Sequence, residues 1–127
     1  MAGGLTISTL NDSSGVLATQ NGMKGVPKAW VNFIGSSGTI SGYFNVSSIT
    51  RNSAGRYVVN FTTAMPNANY APMAQAGNAS GNADWWGFYT TAYNGVAYTT
   101  TACPVVITNS AGTPLDPPNV NVIICGS

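Results

Sequence analysis

Arg56-Tyr57-Val58-Val59-Asn60-Phe61-Thr62-Thr63 is the stretch on which the fold of this chain turns. In an extended strand successive side chains point to opposite faces, so Tyr57, Val59 and Phe61 share one face while Val58, Asn60 and Thr62 share the other. One face is large and apolar and the other is mixed, as expected of a strand that covers a core on one side only. Arg51-Asn52-Ser53-Ala54-Gly55 precedes it as a turn cluster, with Ile49 and Thr50 leading in. Two such runs about a short Gly-containing turn predict a β-hairpin.

The same reading extends in both directions. Upstream, Ala29-Trp30-Val31-Asn32-Phe33 is a strand ending at Gly35-Ser36-Ser37-Gly38, and Thr39 to Val46 is a second, with Tyr43 and Phe44 near its middle. Trp30 and Phe33 fall on opposite faces of the first. Downstream, Met65-Pro66-Asn67-Ala68-Asn69 is a turn and Tyr70 to Ala76 a returning strand, in which Pro72 requires a sheet edge or a bulge because it has no N–H for a ladder. Gly77 to Asp84 reads as a polar loop, Trp85 to Tyr89 as an extended aromatic run, and Asn94-Gly95 as a hairpin turn before the alternating stretch Val96 to Thr101. Val105-Val106-Ile107 is apolar, Asn109 to Asn119 is a loop carrying Pro114, Pro117 and Pro118, and Val120 to Cys125 is the last strand. No stretch spaces its apolar residues as a helix does. The expectation is an all-β fold, an antiparallel β-sandwich or small barrel of about seven or eight short strands.

Residues 1–26 differ in character: their apolar patches are short and broken by Gly, Asn, Asp and Ser. They hold too little to build a core, so we expect an extended N-terminal arm on a β-domain spanning 27–127. Leu5, Ile7 and Leu10, then Val16 and Leu17 after the turn residues Asn11 to Gly15, are its candidate anchoring residues.

Composition narrows the function. A chain of 127 residues fits one domain with a single core. Its charged side chains are only Asp12, Lys24, Lys28, Arg51, Arg56, Asp84 and Asp116, and it has neither histidine nor glutamate. That 6% compares with about 25% in ordinary proteins. Acid–base catalysis needs convergent titratable groups, and a glycosidase needs two carboxylates about 5–10 Å apart, whereas these aspartates sit in three separate loops. The chain is therefore read as a non-enzyme, with no cofactor and no metal: two cysteines without histidine make no zinc site, and no carboxylate cluster suits calcium. A net charge of +1 with no basic stripe argues against nucleic acid, and the four cationic side chains read as solvated loop charges. No run of about 18 apolar residues is present, so membrane insertion is not expected. The start Met1-Ala2-Gly3-Gly4 lacks a secretory leader, and Cys103 and Cys125 are expected reduced and buried, as in a cytoplasm, with a late disulfide between them outside the cell as the alternative. So few charges protect a monomer poorly against association, which points to a homo-oligomer.

Lys28-Ala29-Trp30-Val31-Asn32-Phe33, Phe44 to Thr50 (FNVSSIT) and Tyr57 to Tyr70 (YVVNFTTAMPNANY) together resemble a domain of tailed bacteriophages, found in tail fibres and virion structural proteins. The stretches Leu5 to Asn11 and Ala18 to Met23 resemble the lead-in of such proteins. The resemblance covers roughly residues 5–70 and identifies a scaffold rather than a chemistry. It implies a virion protein synthesised in a host cytoplasm, trimeric as fibres usually are, in contact with other virion proteins. The leading expectation is a tail-fibre or receptor-binding module for host attachment; the alternative is a capsid decoration, head-fibre or fibre-adaptor protein with a purely structural role.

Asn82, Asp84, Trp85, Trp86, Tyr89, Tyr93 and Asn94 are the candidate ligand-binding residues. Aromatic faces stack on the C–H faces of sugars while amides and carboxylates take the hydroxyls, so the cluster suits a host-surface polysaccharide. Large aromatic rings are more often drawn into a core or a subunit interface, and that is the competing reading of the cluster.

Overall fold

The structure, a computed structural model, describes residues 3–4, 6, 9–12, 15–18, 25–77, 87–89 and 96–126, with backbone alone at 9–12, 15–18 and 87–89. Its strands are β1 (Thr9–Asp12), β2 (Gly15–Ala18), β3 (Pro27–Phe33), β4 (Ile40–Phe44), β5 (Val46–Ser53), β6 (Arg56–Phe61), β7 (Tyr70–Gly77), β8 (Gly87–Tyr89), β9 (Ala102–Thr108) and β10 (Asn119–Gly126). β1 and β2 form a two-stranded hairpin of their own, while the rest make two four-stranded antiparallel sheets, ordered β4-β3-β10-β7 and β5-β6-β9-β8. The fold is a β-sandwich, the first of the two architectures expected.

Alternation builds the core. Ala29, Val31 and Phe33 of β3 and Val120, Val122 and Ile124 of β10 point inward from one sheet; Tyr57, Val59 and Phe61 of β6 and Cys103, Val105 and Ile107 of β9 meet them from the other. Phe33 and Tyr57 touch edge to face across the layers, with ring centroids 5.1 Å apart. Phe61 does the same with Tyr70 at 5.7 Å, and the Tyr70 hydroxyl donates to the carbonyls of Ala102 (2.8 Å) and Thr99 (3.1 Å). β7 lies at a sheet edge, where Pro72 is tolerated.

Three expected boundaries move. The run Thr39 to Val46 is not one strand: Asn45 breaks it and sends the chain from the first sheet into the second. Asn45 has φ 54°, a left-handed conformation that asparagine tolerates better than most residues. Its side-chain nitrogen donates to the carbonyls of Lys28 (3.1 Å) and Thr63 (3.2 Å), and its oxygen accepts the Thr63 N–H (2.7 Å). The turn cluster at 51–55 is shorter than expected, because β5 runs on through Arg51 and Asn52 to Ser53 with a bulge, leaving the reversal to Ala54 and Gly55. Val96 to Thr101 alternates in sequence yet forms no strand beyond a bridge at Val96. There the Thr99 hydroxyl accepts the N–H groups of Thr101 (3.2 Å) and Ala102 (3.0 Å), a local turn that competes with a ladder.

The cysteines remain free thiols. Cys103 lies in the core, its thiol pushed up to about 12 by burial. Cys125 follows Ile124 on β10 and points away from the core, so a sheet separates the two sulfurs.

Candidate functional site

The outer face of the β4-β3-β10-β7 sheet carries what the core alternation leaves over. Trp30 pairs with Phe44 on one side and with Ile123 on the other, and Ile123 pairs in turn with Met73. One side chain from each strand thus forms a single row, Phe44–Trp30–Ile123–Met73, running straight across the sheet. All four are exposed, at 54%, 42%, 41% and 63%. Burial would suit every one of them, and nothing among the described residues supplies it.

The neighbouring row is polar. Asn32 pairs with Gly42 and Asn121, and Asn121 with Gln75. The Asn32 amide donates to the side-chain oxygens of Asn119 (2.8 Å) and Asn121 (2.5 Å), and Asn121 donates to Asn119 at 3.1 Å. Gly42 leaves room for the Trp30 ring, whose carbons would stand 3.3 Å from a Cβ there. At the β4 end of the face, Tyr43, Phe44, Asn45, Thr62 and Thr63 line an open cleft of about 500 Å³.

On the second sheet, Asp116 gathers charges and dipoles. Its carboxylate accepts from the Arg51 guanidinium at 2.5–3.2 Å, from the Tyr57 hydroxyl at 2.7 Å and from the Gly55 N–H at 2.9 Å. Neither Asp116 nor Arg51 is the loose loop charge that the sequence suggests. Next to it, the Gly35 N–H donates to the Pro117 carbonyl at 3.0 Å. The arrangement clasps the 109–119 loop onto the β5–β6 hairpin. Burial works to raise the Asp116 carboxyl, but hydrogen bonds from Arg51, Tyr57 and Gly55 outweigh it and hold the group below the usual carboxylate range. Burial, and then the hydrogen bond to Asp116, push the Tyr57 phenol above its ordinary value, so it stays a neutral donor. This is a structural clasp: the Asp116 carboxylate is taken up by Arg51, Gly55 and Tyr57 of the β5–β6 hairpin.

The clasp predicts a pH dependence. A carboxyl depressed on folding stabilises the fold fully above its unfolded value of about 4, and that stabilisation is lost as pH falls through the lower, folded value. Asp116→Asn should melt below wild type at neutral pH, and the gap should narrow as pH falls from about 5 to about 3, because only wild type has that proton to gain. A gap of constant size across the series would show that the charge of Asp116 contributes nothing.

Most of the sequence-derived candidates are not among the described residues. Asn82, Asp84, Trp85, Trp86, Tyr93 and Asn94 lie outside the described residues, and Tyr89 is placed by backbone only, opposite Val106 in β8. Leu5 and Ile7 also lie outside; Leu10 pairs with Leu17 and Asn11 with Val16 in the β1–β2 hairpin. The row on the outer sheet face was missed as a unit. Each member carried a signal, an apolar residue out of phase with the inward set of its own strand, but their alignment depends on register between strands up to 93 positions apart in sequence, from Trp30 to Ile123. Among the described residues no three of His, Cys, Asp and Glu come together.

Comparison with protein-family models, with curated proteins and with solved structures finds no match for this chain.

Proposed function

We propose that this chain is a non-catalytic structural component of a tailed-bacteriophage particle, a trimeric tail-fibre or receptor-binding module that contacts the host surface. The observation that carries the reading is the outer sheet face, with a single charge and a row of four exposed apolar side chains. Such a face is built to be covered by protein, and it sits on a scaffold whose described ion pair is spent on holding a loop. The phage-like segments support it further: Lys28 to Phe33 form β3, Phe44 to Thr50 make the Asn45 corner, and Tyr57 to Tyr70 run from β6 into β7. They supply both core residues, Phe33, Val46, Tyr57, Val59, Phe61 and Tyr70, and exposed ones, Trp30 and Phe44.

A purely structural role, as a capsid decoration or fibre-adaptor protein, is the second reading. It is favoured by the position of the exposed row, on the broad face of a sheet rather than at a loop tip. Imaging particles with this chain located in the density tests both. Copies at the tail tip support host recognition by the module, with surface polysaccharide as the ligand to assay. Copies spread over the capsid lattice support decoration, and absence from particles sinks both readings.

A further inference from the structure

We infer that the outer face of the β4-β3-β10-β7 sheet is where this chain meets copies of itself, with three such faces closing around a common axis. The inference deepens the proposed reading by naming the surface and its occupant, and it rests on the self-association in that reading.

Charge identifies the occupant as another copy. The side chains on this face are Lys28, Trp30 and Asn32 from β3, Phe44 from β4, Ala71, Met73 and Gln75 from β7, and Asn119, Asn121, Ile123 and Cys125 from β10, with one charge among them. A face rich in one sign repels its own copy, whereas this one carries a single charge, Lys28, near the start of β3. Each amide carries both donors and acceptors, so the Asn32–Asn119–Asn121 cluster and Gln75 can pair with the same residues of another copy.

Area agrees. The four exposed side chains of the row present on the order of 400 Å², about half of the ~800 Å² that each partner of a stable interface buries, and the flanking amides, Ala71 and Cys125 enlarge the patch.

The width of the face accommodates three copies. Four strands spaced about 4.8 Å apart make a face roughly 19 Å wide, and three faces of that width enclose an axis about 5 Å from each, the half-thickness of two stacked sheets. One layer of side chains per sheet then fills the interior. Trp30 and Ile123, on the two central strands, point at the axis, and the β4 edge of each copy meets the β7 edge of the next. Phe44 of one copy therefore faces Met73 of its neighbour, a contact in which a thioether packs well against a ring.

Native mass spectrometry and sedimentation of the purified chain test this. Wild type is expected as a trimer. Ile123→Asp, at an exposed position, is expected to be a monomer with an unchanged circular dichroism spectrum, while Ala111→Asp in the 109–119 loop stays trimeric. In a Cys125→Ser background, Phe44→Cys together with Met73→Cys should oxidise to a covalent trimer. A monomeric or dimeric wild type, or a trimer indifferent to Ile123→Asp, would overturn the inference. Whether the chain resides in a phage particle is read separately from the imaging, so either reading fails without the other.

Discussion

Gly55→Ala is expected to lower stability by roughly 2–5 kcal/mol, summing a left-handed backbone penalty and an overpacking penalty. Gly55 has φ +67°, and a Cβ there would run into the carbonyl oxygen of Ile107 and stand 2.6 Å from the Leu115 nitrogen, backbone atoms that cannot swing aside. The approach is close because Gly55 is a junction: its carbonyl accepts the Ile107 N–H at 2.8 Å and its own N–H binds Asp116 at 2.9 Å. Moving it loosens the hairpin, β9 and the clasped loop together. A thermal melt should show a fall of roughly 10–20 °C in Tm for a domain of this size. Gly112→Ala is the control, since Gly112 has φ +80° with nothing within 4 Å of a Cβ, and it should cost only about 1–2 kcal/mol. Equal losses at the two sites would mean that the close approach at Gly55 is unimportant.

Phe33→Ala should cost a similar amount by another route. Phe33 is fully buried, and its ring joins the two sheets through Tyr57. Deleting it removes apolar contact and leaves a cavity that two sheets held by their own ladders cannot close, for a loss of about 3–5 kcal/mol. Three residues earlier on the same strand, Trp30 points outward and is 42% exposed. Trp30→Ala should cost the isolated subunit under about 1 kcal/mol and express its effect in self-association instead. Chemical denaturation of both variants, with the assembly state monitored, separates the two faces of β3. A comparable intrinsic loss from both would contradict the alternation on which the sandwich is built.

Those two variants also show how far local pattern reaches. The inward positions of β6, Tyr57, Val59 and Phe61, were legible because a strand repeats every two residues and burial sorts the sequence by that period. Pro72 marked its sheet edge for an equally local reason, a missing donor. Val96 to Thr101 shows the limit: its alternation is as clean as that of β6, but the Thr99 hydroxyl captures the backbone donors that a ladder would need. Asn45 shows another. Nothing in Phe44-Asn45-Val46 announces a change of sheet, which becomes stable only when Lys28 and Thr63, 17 and 18 positions away, offer partners to its side chain.

The chain's order of side chains thus settles that it is all-β and which strand positions enter the core, and its composition sets how few charges it carries. Alternation and composition are properties of a single strand or of the whole count, and need no knowledge of neighbours. The tertiary structure alone decides the rest. It brings Asp116 to Arg51 across 65 positions and to Tyr57 across 59, turning a loop aspartate into a clasp. It sets the register that lines up Phe44, Trp30, Ile123 and Met73, four residues unremarkable in isolation, into one exposed row. Register is a sum over pairings of distant strands, chosen because it buries the inward set, and the outward row is the consequence that the sequence carries but does not display.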